Sequence, residues 1–463
     1  MLVIGILSNS LVFLANKLQR FDRYMPAKIN PRIVVLIAIF FLSMLGIYAA
    51  RGLYADGSYI LYELLSKGRF ANLEGPRKLS QAVTQVPVWI AMQFGVVDLN
   101  LLIRLHSVGT CGFAVWLWCW ALLLHFRSSL FWIFVFGFSV TYLSFGFFAH
   151  GEANITCALT ALASAIILRA RINWFEGIVL LIAATVLLYA YQTLVGLGPL
   201  LFAFTLGRLC LNTTDTKFTK LVLVIAGVLF LIATYNAAWS LRYSGIQDMG
   251  SALNLGAVTS FHFMYITLMA ALICTAYLKQ RMLIILLTVF TGIGLSVVYL
   301  ISPKLWNPPF MMYSFRVLAS PLLFGTLLIA GWLTWYETIY QTNGPKWSIN
   351  KAVSALILAV FLSLSIPFVV ANFGFVKWAQ RFEQAALALT VNTPIEKTNI
   401  NTDHGWNSGF NWMWNNPSTS ILLRGDATAV IMNNSGHTGW QPFDPEKIDK
   451  NPLWRFVKSQ PLY

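Results

Sequence analysis

Two carboxylates and two cations stand out of an otherwise apolar chain: Asp56 in RGLYADGSY, Glu152 in AHGEANIT, and Lys304 and Arg316 in SPKLWNPPFMMYSFRV. Carboxylates converging on one cavity can take a proton from an attacking hydroxyl or hold a divalent cation. An arginine presents a planar fork that binds phosphate oxygens bidentately. His150, two residues before Glu152, titrates in the range of a physiological base, and Tyr191, Gln192 and Tyr313 add hydroxyl and amide groups. Each residue also has a plain structural use. Asp56-Gly57 is a turn signal, an acid at a helix start such as Glu152 favours the helix dipole, and Arg316 can snorkel to lipid headgroups. A lone histidine beside a helix start is commonly structural.

The elements that must position these groups are membrane elements by composition. Of 463 residues 57% are hydrophobic and 11% charged, with a mean hydropathy of +0.67. Soluble domains carry about 25% charged residues, so the charges here are too few to coat a soluble globule. Five cysteines, sparse and odd in number, exclude a disulfide scaffold. Cys111, Cys119, Cys157, Cys210 and Cys274 all fall in apolar runs, where cysteine packs as a small hydrophobe. Crossing the hydrocarbon takes roughly 20 apolar residues. Eleven spans are read, at 33–50, 101–124, 129–149, 153–168, 174–190, 194–210, 219–239, 257–278, 282–302, 315–335 and 352–371.

Charge then orients them. Fifteen of the 32 Lys and Arg fall before the first span or in alternate loops after it, against four acids, which places +11 of the net +15 on one side. The positive-inside rule makes that side cytoplasmic. The N-terminus is therefore inside, the segment after Asn372 is outside, and nucleic-acid binding is not needed to explain the charge. Met1–Ala15, apolar but short and without a basic flank, reads as an interfacial helix rather than a signal peptide.

Spans one and three both run outward, so Asp56 and Glu152 emerge on the same outer face, where ionisable groups are costly unless paired or functional. The first outer loop, Arg51 to Asn100, predicts two helices. One is a short amphipathic surface helix through Tyr59, Tyr62, Leu65 and Phe70; the other runs from Ser80 to Phe94, is interrupted or started by Pro87, and is too polar at Gln81, Thr84 and Gln85 to span. Residues 1–371 read as the membrane domain and 372–463 as a C-terminal outer domain. There, eight basic and seven acidic residues nearly cancel, and SILLRG and ATAVIMNN read as short strands of a small α/β or mostly β lobe. Its tryptophans, Trp378, Trp406, Trp412, Trp414, Trp440 and Trp454, suit either sugar stacking or anchoring at the interface.

These residues and their placement resemble the GT-C superfamily of polyprenol-dependent membrane glycosyltransferases. That pattern has an aspartate in the first non-cytoplasmic loop between two membrane-surface helices. It has a second acid at the turn joining spans three and four, and a basic residue near a late loop that holds the lipid phosphate. Asp56, Glu152 and Arg316, with Lys304, occupy those places over roughly residues 30–340. Within the superfamily the likeness is to bacterial enzymes that decorate cell-surface glycans, such as the serotype-converting glucosyltransferases of the O-antigen of lipopolysaccharide.

The resemblance implies a GT-C-like α-helical polytopic protein of the bacterial inner membrane. Its donor would be a sugar on a polyprenyl phosphate such as undecaprenyl phosphate, its acceptor a glycan or lipid at the periplasmic face. Asp56 would be the general base of an inverting transfer, and Glu152 with His150, Tyr191 and Gln192 would orient the acceptor or tune Asp56. Arg316, Lys304 and Tyr313 would neutralise the departing lipid phosphate. The first loop lacks the Asp-x-Asp or Glu-x-Asp pair of metal-dependent members, so no metal site and no cofactor is assigned; a divalent cation is the one group a chelator titration should address.

Other readings differ in what they require. A transporter or flippase usually shows internal repeats and polar or broken helices at mid-membrane, whereas here no repeat is evident and the ionisable residues gather at one face. Within the enzyme class a protein acceptor is an alternative. A scaffold without chemistry would tolerate Asp56→Asn.

Overall fold

The computed structural model describes residues 30–71, 75–143, 151–212, 215–243, 308–339, 351–398, 400, 416–432, 453, 455–458 and 460–462. They are mostly helical. Helix α1 (Pro31–Tyr48) starts as helices should, with the Asn30 side chain accepting from the Arg32 N–H and proline at the first position. A 3-10 turn (Arg51–Leu53) leads to α2 (Asp56–Lys67), which ends on Gly68 at φ 66°. Next comes α3 (Lys78–Gln93), then α4 (Leu99–Ser107), a π turn (Val108–Gly112) and α5 (Phe113–Leu124), the last three forming one continuous rod.

The bundle is completed by α6 (Leu130–Thr141), α7 (Glu152–Ile167), α8 (Trp174–Leu187), α9 (Leu194–Leu211), α10 (Lys217–Tyr243), α11 (Pro308–Ile339) and α12 (Lys351–Ala388). Among the described residues five stretches are long and apolar enough to cross a membrane: Pro31–Tyr48, Leu99–Leu124, Leu194–Leu211, Lys217–Ser240 and Ile357–Ala388. Leu130–Thr141, Glu152–Ile167, Trp174–Leu187 and Ser320–Trp335 are shorter apolar helices. Nine of the eleven spans read from the sequence fall on these helices; 257–278 and 282–302 lie outside the described residues, as does Met1–Ala15.

Among the described residues two apolar cores form. The larger joins the bundle helices through Trp118, Phe131, Phe134, Phe138, Phe204 and Phe230. The second combines the first loop (Leu53, Leu61, Leu64, Leu102) with the far end of α12 (Phe375, Trp378, Phe382) and with Ile421, Leu422 and Ile431. Helix α12 belongs to both, and it continues to Ala388, well beyond the predicted span end at 371.

Three local expectations change. Helix α2 forms where an amphipathic helix is predicted, but Tyr62 and Leu65 are buried in the second core, so its apolar face packs on protein. Helix α3 keeps Pro87 inside it, and its polar residues point inward: Gln81, Thr84 and Gln85 are buried, with the Gln85 amide bonded both ways to the backbone of Ala71. SILLRG is helix rather than strand. It ends α13 (Asn416–Arg424), whose start carries a proline in the first turn and whose Ile421, Leu422 and Leu423 are all buried, a run without strand alternation. ATAVIMNN does supply a strand, β2 (Ile431–Met432), paired in parallel with β1 (Thr393–Pro394).

Candidate functional site

Asp56 sits on a backbone that its sequence does not favour. Ala50 (φ 50°, ψ 39°) and Ala55 (φ 54°, ψ −130°) both have positive φ, and they bracket the segment that delivers Asp56 to the first turn of α2. Alanine held in such regions costs about 1–3 kcal/mol per residue and persists only where the surroundings enforce it. The enforcement comes from the rod of α4 and the π turn. The Gly52 N–H donates to Ser107 Oγ at 3.0 Å, and the Gly57 N–H to the Tyr54 carbonyl at 3.2 Å. A Cβ on Gly52 would lie 2.9 Å from Ser107 Oγ and Thr110 Oγ1 and 3.0 Å from the His106 ring. One on Gly57 would lie 1.8 Å from the Gly52 carbonyl oxygen and 3.4 Å from His106 Nε2. Only glycine allows these approaches. Arg51, fully buried, lays its guanidinium over the rings of Tyr54 and Phe375 at 5.1 and 4.9 Å.

The same π turn leads to the second acid. Gly109 presses on α3, where an added Cβ would be 1.8 Å from the Thr84 carbonyl oxygen. One turn back on α3, Gln81 Nε2 donates to Glu152 Oε1 at 2.9 Å. Glu152 is the first residue of α7 and 8% exposed, so the helix dipole and the amide both favour its charge. Asp56 and Glu152 thus occupy first turns of two helices tied to the same rod, α2 through the Gly52–Ser107 bond and α7 through Gln81 on α3. Single π turns inside α-helices recur at functional sites.

Tyr191 and Gln192 join this end through α3. The Tyr189 carbonyl accepts from Leu79 N–H at 3.1 Å, Ser80 Oγ donates to the Ala190 carbonyl at 2.9 Å, and Arg77 lies over the Tyr191 ring at 4.8 Å. Gln192 bonds Ser240 Oγ at 3.3 Å, and both tyrosine and glutamine line a small crevice with Leu187, Ala233, Ala237 and Ser240. Ser320 Oγ, in the N-terminal half of α11, donates to the Thr193 carbonyl at this same end. Tyr313 and Arg316 are on that helix, but their side chains, and the whole of His150 and Lys304, lie outside the described residues. Of the tryptophans, Trp378 is core, tilted against Phe375 and Phe382, and the rest fall outside the described residues.

The residue that sequence reasoning overlooks is His106. Its signal is present: His106, Ser107 and Thr110 form a polar face, at helical spacing, near the start of an apolar span. Gln81 was legible only as an obstacle to spanning. Outside the bundle helices, burial pushes the Tyr59 hydroxyl above its ordinary pKa, and Glu63 adds to the rise. Among the described residues no three His, Cys, Asp or Glu side chains gather into a metal-holding group. The chain matches no protein-family model, no curated protein and no solved structure.

Proposed function

We propose that this chain is an integral membrane glycosyltransferase of the GT-C kind, moving a sugar from a polyprenyl phosphate to a glycan or lipid acceptor. The observation that carries the reading is the Asp56 turn: a carboxylate at one end of an apolar bundle, held by strained backbone that the neighbouring rod enforces. A general base needs such fixity, because proton abstraction requires the carboxylate within hydrogen-bond reach of the acceptor hydroxyl.

In this mechanism Asp56 takes the proton as the acceptor oxygen attacks the anomeric carbon. The bond from that carbon to the lipid phosphate oxygen breaks in line, the electron pair leaves with the phosphate, and the configuration inverts. Arg316 and Lys304, with Tyr313, meet the charge that develops on the leaving phosphate. Glu152, oriented by Gln81, and the Tyr191–Gln192 turn position the acceptor. The eleven-span topology, the cytoplasmic N-terminus, the outer C-terminal lobe and a bacterial inner-membrane location belong to the same proposal.

The test is sugar transfer in membranes supplied with a labelled polyprenyl-phosphate hexose and a cell-surface glycan acceptor. Asp56→Asn, equally expressed, should lose at least about 100-fold of the rate, the usual worth of a positioned general base. Transfer at the wild-type rate would refute the assignment.

A further inference from the structure

We infer that His106 is a positioning residue that fixes the Asp56 carboxylate by bracing Gly52 and Gly57. The inference rests on the general-base reading of Asp56. His106 is fully buried, and outside the Gly52–Gly57 turn neither ring nitrogen has a hydrogen-bond partner among the described residues. A buried polar group without a bond costs about 1–3 kcal/mol, which an apolar side chain of similar size would avoid. A histidine here therefore calls for a use other than filling space.

The ring's surroundings supply that use. Nε2 faces Gly57, the residue after Asp56, and Cδ2 faces Gly52, the residue after Arg51. The adjacent polar groups of the rod are committed elsewhere, Ser107 Oγ to the Gly52 N–H and to the Ile103 carbonyl, and Thr110 Oγ1 to the His106 carbonyl. That leaves the imidazole as the one polar side chain of this face still able to donate to the turn's carbonyls. The π turn that follows keeps this face in place by letting Gly109 seat against Thr84. Two strained alanines need such a brace, since a looser neighbour would let Ala50 and Ala55 relax and swing Asp56 out of line.

The experiment compares His106→Leu and His106→Gln in the purified full chain, by hydrogen exchange of amides 50–58 and by steady-state transfer. Leucine fills the space without a donor, and glutamine restores an N–H near the Nε2 position. In His106→Leu, exchange of 50–58 should accelerate while α12 stays protected, and kcat should fall roughly 100-fold with KM unchanged, as misplacement of a catalytic group by about 1 Å does. His106→Gln should recover both protection and most of kcat. Unchanged exchange in His106→Leu, or a glutamine variant as impaired as leucine, overturns the positioning role. If His106→Leu is not recovered folded, the glutamine variant decides by the same readouts. Should the wild type transfer no sugar while His106→Leu still loosens 50–58, the brace stands and the glycosyltransferase reading falls.

Discussion

Both ends of the bundle pair charges on their own chain, as Arg208 with Asp215 at one and Lys458 with the buried Glu383 at the other, but they differ in backbone strain. At the end away from Asp56, arginines close on protein groups. Arg208 holds Asp215 with two bonds of 2.8 Å and the Ile167 carbonyl with a third at 2.6 Å. Arg169 pairs with Glu176, which is itself locked in a capping box with Asn173. Arg32 reaches the Phe126 carbonyl and lies over the Phe131 ring at 5.5 Å, and His125 Nε2 donates to the Ala165 carbonyl at 2.8 Å. At the Asp56 end the backbone is strained, two glycines are compressed, and a buried histidine has only the backbone of the Gly52–Gly57 turn to bond. An end with relaxed backbone and paired charges is built to hold shape. One that keeps strained backbone around a carboxylate is built to hold that group in line.

The contrast can be broken most sharply at Gly57. Gly57→Ala drives a methyl into the Gly52 carbonyl and should cost about 3 kcal/mol or more, as severe overpacking does. Gly151→Ala, beside the other acid, meets nothing within 4 Å and has an extended φ of 173°, so it should stay within about 0.5 kcal/mol of wild type. Thermal unfolding of the two variants in detergent measures both, and a tolerated Gly57→Ala would mean that the compressed turn is not enforced.

The opposite end is probed by pH. Burial pushes the His125 imidazole down to about 4, the Ala165 carbonyl opposing and Arg169 adding to the fall. The unfolded chain takes this proton near pH 6.5 and the folded chain refuses it until about 4. Stability should therefore be level above pH 6.5 and decline as pH falls toward 4, by about 3 kcal/mol in all. His125→Gln should flatten this slope in Tm-against-pH curves; an unaltered slope would remove His125 from the lock.

A smaller effect of opposite sign is expected at Ala55. Ala55→Gly relieves the strain at φ 54° and should raise stability by about 1 kcal/mol, yet slow transfer because the turn is less fixed. Greater stability together with undiminished turnover would separate the strain from the chemistry.

Much of this arrangement was legible in the chain and some was not, for physical reasons. Apolar runs located nine helices because hydrophobic content alone marks them, and alternate-loop arginines such as Arg169 and Arg208 correctly shared one end. Helix α2 and the placement of Asp56 and Glu152 at helix starts followed from turn and cap chemistry. What escaped depends on packing between distant segments. The inward face of α3 could not be seen because Gln81 finds Glu152 only in the folded chain, and the SILLRG helix is decided by Ile421 to Leu423 burying together. His106 was hidden in the same way, since its significance comes from Gly52 and Gly57, some fifty residues earlier.

The most direct test is the turnover of Asp56→Asn measured beside its thermal unfolding. The account predicts transfer reduced at least about 100-fold with the unfolding midpoint unchanged, because the amide can keep the first-turn position while losing the base. An Asp56→Asn protein that folds equally well and transfers sugar at the wild-type rate would contradict it.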